Sequence, residues 1–171
     1  MIKAIQVVDL NRAQSITGGY DHTFTCWISA ADPVNRREMN IISSRLAVRG
    51  IPHHVRCFLD FDDTAPTADF HGPQIEDIKE IRAVFSELHK SNKEQNIAIN
   101  CSAGISRSTA LAIIGWQEAG FNAEVALDKV LAVRRFAWPN ERILRLYDTL
   151  AGSSSAETIK AWKAHQKGII V

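Results

Sequence analysis

A cysteine and an arginine bracket a loop of small residues in the segment Asn100-Cys101-Ser102-Ala103-Gly104-Ile105-Ser106-Arg107-Ser108-Thr109. The chemistry open to such a loop is attack by sulfur on an anion that the loop itself holds. The preceding run Asn96-Ile97-Ala98-Ile99-Asn100 has the pattern of a short buried strand, and Ser108 to Gly120 is apolar on nearly every side, as a helix at the centre of a domain is. The loop therefore lies where a strand hands over to a helix N-terminus. The unpaired amides of a first helical turn converge on one locus and carry roughly half a unit of positive charge. An oxyanion belongs there, and a thiol in that field is favoured as thiolate, its nucleophilic form. Arg107 can add a bidentate fork to the oxyanion. Gly104 lets the backbone turn closely around a ligand and can take a positive φ. Ser108 offers a hydroxyl able to donate to the Cys101 sulfur when that sulfur leaves.

Displacement at a phosphorus needs a second component, because an alkyl or aryl oxygen leaves badly unless it is protonated. The stretch Val55-Arg56-Cys57-Phe58-Leu59-Asp60-Phe61-Asp62-Asp63-Thr64-Ala65-Pro66 runs from an expected strand into an acidic, turn-prone loop upstream of the cysteine. Aspartates in such a loop commonly do no more than make turns to their own backbone. Paired with the cysteine loop, Asp62 and Asp63 become candidates for the acid, with Asp60 behind them.

These two segments together resemble the cysteine-dependent protein phosphatases that carry a Cys-x5-Arg-Ser/Thr signature, and more closely the small dual-specificity group. The match over the loop is residue by residue. The acidic stretch is similar to the Phe-Asp-Asp-x-Ala-Pro loop of the phosphatases of regenerating liver. The resemblance implies that Cys101 attacks phosphorus and that Arg107 holds the phosphoryl oxygens with the backbone of Ser102, Ala103, Gly104, Ile105 and Ser106. By the same resemblance Ser108 helps release the thiol from a phosphocysteine intermediate. Asp63, the second aspartate of its pair, is the implied acid, and Asp62 is the reserve. Arg134-Arg135-Phe136-Ala137-Trp138-Pro139-Asn140 looks like the Arg-x-x-x-Pro-Asn segment of many dual-specificity phosphatases, in which the asparagine supports the loop from outside. Asn140 also reads locally as the N-cap of a helix. Arg134 and Arg135 read as a solvated basic edge near the substrate entrance.

One departure from the family pattern is that Asn100 stands where histidine usually precedes the cysteine. It motivates a second reading, a phospho-binding module with little or no turnover. Arsenate reductases and some rhodaneses have related loops, but Asp63 and Ser108 argue against arsenate or sulfur transfer. The interior residues Ser102, Ala103, Ile105 and Ser106 are uncharged, whereas phosphoinositide phosphatases usually place lysines there. The expected substrate is therefore a phosphorylated protein or peptide, phosphotyrosine with possible phosphoserine and phosphothreonine, and oxyanions such as phosphate, sulfate or vanadate should occupy the loop.

With 171 residues, 46% of them hydrophobic, 20 basic side chains and 19 acidic ones, the chain is expected to form a single domain over residues 1–171. The balanced charge argues against a general nucleic-acid or membrane-surface binder. No apolar stretch has the length of a membrane span, and Met1 to Asp9 reads as a strand rather than a signal peptide, so the cytoplasm is the expected compartment. Three cysteines fit a reducing setting better than a disulfide framework. Cys26 and Cys57 read as core residues, with a reversible bridge to Cys101 as the functional alternative. His53 and His54 point to opposite faces of a strand and no cluster completes a site, so no metal and no cofactor are expected.

The elements that must position the loop are legible from periodicity. Strands are expected near Ala4 to Val8, Thr23 to Ile28, His54 to Leu59 and Asn96 to Asn100. Helices are expected over Arg37 to Val48, from Ile75 through Leu88, over Ser108 to Gly120, and around Ala123 to Arg134, Glu141 to Leu150 and Glu157 to Gln166. Gly152 to Ser155 links the last two. The expected fold class is α/β: a small central, largely parallel sheet flanked by helices, with the loop between a strand and a central helix and a helical C-terminal half.

Overall fold

The computed structural model describes residues 1–19, 23–60 and 71–169. Four strands, β1 (Ile2–Val8), β2 (Cys26–Ala31), β3 (His53–Cys57) and β4 (Gln95–Asn100), form one sheet in the order β1-β4-β2-β3, and every pairing is parallel. Seven helices accompany them among the described residues: α1 (Leu10–Gly18), α2 (Arg36–Ala47), α3 (Ile75–Lys90), α4 (Arg107–Glu118), α5 (Ala123–Val133), α6 (Glu141–Ala151) and α7 (Ser155–Ile169). The described chain after Asn100 is helical, as expected.

A parallel sheet is covered on both faces, so its strands read as nearly unbroken buried runs. All six residues of β2 are buried, and so are Ile97, Ala98, Ile99 and Asn100 of β4. Alternation sends Ile28, Ile97 and Ile99 into one core with α3, α4 and α6, and Trp27 and Ala98 into a second core with Met39, Ile42 and Leu46 of α2. Helix α4 lies inside the first core, with Arg107 through Trp116 buried without interruption, which explains why its sequence lacks a polar face. A Cβ on Gly115 would come within 2.7 Å of Phe85 and 2.8 Å of Ile5, so this glycine is what lets α4 press against α3 and β1.

Helix α3 follows its pattern closely. Gln74 and Asp77 form a capping box at its start, and Ile78, Ile81 and Phe85 are buried, each contributing roughly 1.5–3 kcal/mol. Two local expectations shift. β2 begins at Cys26, three residues later than expected, and runs through Ser29-Ala30-Ala31; those small residues have little strand propensity, but they sit between β3 and β4. Helix α1 has only a faint periodicity in sequence; Asp9 caps it, accepting a hydrogen bond from the Arg12 amide at 2.8 Å. No described helix is long and apolar enough to cross a membrane.

Candidate active site

The loop from Cys101 to Ser106 springs from the C-terminal end of β4, the edge of an open parallel sheet at which ligands bind. Five consecutive carbonyls of this loop are engaged on its outer side. Leu10 N donates to Ser102 O at 3.1 Å, Trp138 N to Ile105 O at 2.9 Å and Asn140 N to Ser106 O at 3.3 Å. Arg134 spans the two between, donating to Ala103 O at 2.7 Å and Gly104 O at 2.9 Å. In a trans peptide the N–H points opposite to the C=O. The amides of residues 103–107 therefore turn inward, and the Gly104 amide donates to Cys101 Sγ at 3.2 Å. This turn requires glycine: Gly104 has φ +68°, and a Cβ there would lie 2.8 Å from the backbone of Val8 and Asp9.

Cys101 is 2% exposed, and its sulfur lies 3.1 Å from Ser108 Oγ, on the first turn of α4. Arg107 is also buried. Its two terminal nitrogens grip Asp32 in a fork, Nη1 to Oδ1 at 2.8 Å and Nη2 to Oδ2 at 3.0 Å, and they reach Phe58 O at 2.8 Å and Ser102 Oγ at 3.2 Å. Nε remains buried without a hydrogen-bond partner, a charged donor left over for an oxyanion. Ser102 Oγ also donates to Asp32 Oδ2. Burial alone would raise the Asp32 carboxyl, but hydrogen bonds from Arg107 and Ser102 and the Arg107 charge hold it below its ordinary value.

Asp60 is a tether. Its Oδ1 accepts from Ser106 Oγ at 2.7 Å and from Asn140 Nδ2 at 2.8 Å, and its Oδ2 lies 4.0 Å from Arg107 Nε. Asn140 meanwhile caps α6, Oδ1 accepting from Ile143 N at 3.0 Å, so one side chain makes both the cap and the contact with Asp60. The favoured acid Asp63 and the reserve Asp62 lie outside the described residues. Arg135 is exposed, in keeping with a solvated edge, but Arg134 corrects the expectation made for it: it is a buttress of the loop, also 3.8 Å from Asp9. Asp32 was not legible as a site residue. A carboxylate following a buried strand, just before Pro33, was the available signal, since that is where the C-terminal sheet edge must lie.

Asn100 faces away from the thiol. Alternation along β4 sends its side chain to the α2 side of the sheet, where Oδ1 accepts from Trp27 Nε1 at 2.8 Å and from Ser29 Oγ at 2.6 Å. His53 continues this network, its Nε2 2.8 Å from Ser29 Oγ and its Nδ1 2.7 Å from Ser43 Oγ. Burial, with His54 beside it, pushes His53 down to about 4. Between that value and the unfolded value of about 6.5 the unfolded chain takes up a proton that the native state refuses, so stability falls as pH drops through this window. The thermal midpoint is expected to decline from pH 7 to pH 4.5 less steeply in His53→Gln than in the wild type.

Bridges from Cys101 to the other cysteines do not fit the sheet. Cys26 pairs with Ile97, four residues before Cys101, a separation of roughly 13 Å along the strand. Exposed Cys57 ends β3, with β2 between it and β4, which puts it about 10 Å away across the sheet. Both exceed the roughly 7 Å that a disulfide spans between Cα atoms. Burial also pushes the Cys26 thiol up to about 12, away from reactivity. Among the described residues no group of three or more His, Cys, Asp or Glu is arranged to hold a metal ion.

No protein-family model matches the sequence, and no curated protein does either. Solved structures match over nearly the whole chain. Human DUSP28 superposes with a TM-score of 0.56 at 12% identity, covering 92% of each chain. The PTP-2 phosphatase of Cydia pomonella superposes with 0.57 at 18% identity, covering 84% of this chain and 83% of its own. PTPMT1 in complex with PI(5)P gives 0.57 at 12% identity and 94% of each chain. The chain has the fold of the protein tyrosine and dual-specificity phosphatases. Within that phosphatase fold, the loop described above joins the central strand β4 to the buried helix α4.

Proposed function

We propose that the protein is a metal-independent phosphomonoesterase acting on phosphorylated protein or peptide through a phosphocysteine intermediate. The observation that carries the reading is the set of inward-facing amides of the Cys101 loop, with Arg107 Nε buried and free of any hydrogen bond. A tetrahedral dianion offers that set of donors its matching acceptors, and its charge spreads onto the same oxygens as the transition state forms.

In the first step Cys101 Sγ attacks phosphorus, the sulfur–phosphorus bond forms and the bond to the leaving oxygen breaks. Asp63 supplies the proton which that oxygen takes. In the second step the Asp63 carboxylate removes a proton from water, whose oxygen attacks phosphorus, and the sulfur departs as thiolate. Ser108 Oγ is in reach to donate to that sulfur as its charge returns. Asp32 and Phe58 O orient the Arg107 guanidinium, while Asp60 and Asn140 fix the far side of the loop. The uncharged interior of Ser102, Ala103, Ile105 and Ser106 favours a phosphoprotein over an inositol lipid, which carries further phosphates that basic side chains would match.

Hydrolysis of an aryl phosphate across about pH 4.5 to 8, with and without vanadate, tests this. A bell-shaped profile and competitive inhibition by vanadate are expected, because an ionised thiol and a protonated carboxylic acid are required together. Oxyanion binding without turnover would instead establish the phospho-binding module that Asn100 motivates.

A further inference from the structure

The buried polar chain on the α2 face of the sheet crosses three strands and ends on Asn100, the residue before the nucleophile. Trp27, Ser29 and Asn100 are fully buried. Ser29 stands between its neighbours in register, opposite Asn100 on β4 and Val55 on β3, and Trp27 is opposite His53. Asn100 is the last rung of β4 on both sides, paired with Val8 and with Ser29, and the next residue is Cys101.

Hydrogen counting fixes the direction of every bond. An indole nitrogen only donates, so the Asn100 atom facing Trp27 is its carbonyl oxygen. The same oxygen is the partner of Ser29, so Ser29 spends its single proton on it. Ser29 Oγ can then only accept from His53 Nε2, which makes His53 the Nε2–H tautomer, and Nδ1 accepts from Ser43 Oγ on α2. The chain therefore runs one way, from Ser43 through His53 and Ser29 to Asn100.

Stability alone does not account for this arrangement. Asn100 Nδ2 is buried with no hydrogen-bond partner, an unfavourable feature that an apolar residue would avoid. What the asparagine gains is two donors on one oxygen, which pin the end of β4 where the chain leaves the sheet for the loop. We propose that His53, acting through Ser29 and Asn100, is a positioning residue for Cys101. It holds the last rung of β4 so that the sulfur stays seated between the Gly104 amide and Ser108 Oγ. In-line attack is sensitive to displacements of about 1 Å, so loosening this rung lowers the rate of the chemical step more than the affinity for the phosphoryl group.

The inference rests on the phosphocysteine reading for its kinetic readout and on sulfur reactivity for a second one. In aryl phosphate hydrolysis, His53→Leu and Ser29→Ala are each expected to lower kcat about 10-fold with KM within about 2-fold. His53→Gln, whose amide N–H can reach Ser29, should stay within about 3-fold of wild type. On the same proteins, alkylation of Cys101 by iodoacetate, followed by mass spectrometry of its peptide, should slow about 10-fold in His53→Leu and Ser29→Ala and recover in His53→Gln. If His53→Leu fails to fold, Ser29→Cys, nearly isosteric and a poor donor, reads the same link. Variants that lose thermal stability while keeping wild-type kcat and alkylation rate would overturn the proposal, as would a loss confined to KM. Should the wild type show no turnover, the phosphatase reading fails, and the alkylation series still decides whether His53 positions the sulfur.

Discussion

Cys101→Ser is expected to lower kcat for an aryl phosphate by roughly 10⁴-fold or more, about 5 kcal/mol in the barrier, while leaving the affinity for inorganic phosphate within about 3-fold. The substitution removes little besides nucleophilicity. Serine is slightly smaller in a site that is 2% exposed, and its hydroxyl can accept from the Gly104 amide and pair with Ser108 as the sulfur does. The donors proposed to bind the oxyanion belong to the backbone of the loop and to Arg107, and none of them is touched. An alcohol, however, is a far weaker nucleophile near neutrality than a thiol, whose sulfur is intrinsically nucleophilic. Turnover assays together with phosphate titration by calorimetry separate the two effects. A loss of phosphate affinity as large as the loss of kcat would mean that the sulfur organises the loop rather than attacks.

Asp63→Asn is expected to lower kcat about 10²- to 10³-fold and to remove the fall in rate on the basic side of the pH profile, because that fall reports the deprotonation of the acid. The sign of the leaving-group dependence follows. A nitrophenolate leaves without much help, so the defect should be smallest for nitrophenyl phosphate and should grow for alkyl phosphates, whose oxygens must be protonated as they depart. Asp62→Asn, by contrast, should stay within about 3-fold of wild type and keep both limbs. A larger defect in Asp62→Asn, with the basic limb lost there instead, would transfer the role to Asp62. Asp60→Ala is a different experiment, since that side chain is the shared acceptor of Ser106 and Asn140 and its loss loosens the loop.

The parts of the site that were legible in the sequence are those that lie next to one another in it. Cys101, Gly104, Arg107 and Ser108 are close in sequence, and a strand-to-helix junction is a local property, so spacing and residue type sufficed. Asn140 was legible for a similar reason, as a cap followed by Ile143 and Tyr147 at helical spacing, both of them buried. Asp32, Asp60 and Arg134 come from three different parts of the chain and become neighbours only when β2, β3 and β4 set their C-terminal ends side by side. No spacing rule expresses that adjacency. The arginine buttress is a further step removed, because it binds carbonyls, which carry no signature in side-chain identity. Asn100 shows the opposite difficulty. Its position before the cysteine suggested a direct influence on the sulfur, whereas strand alternation turns it to the other face, toward Trp27, Ser29 and His53.

The most direct measurement is a rapid acid quench of the wild-type enzyme during turnover of an aryl phosphate, followed by mass spectrometry of the cysteine-containing peptides. Phosphoryl transfer to Cys101, with Cys26 and Cys57 unmodified and the label lost on chasing with unlabelled substrate at the rate of turnover, is the predicted result. Turnover with Cys101 unmodified at every quench time, or with the phosphoryl group on a different residue, would contradict the phosphocysteine mechanism.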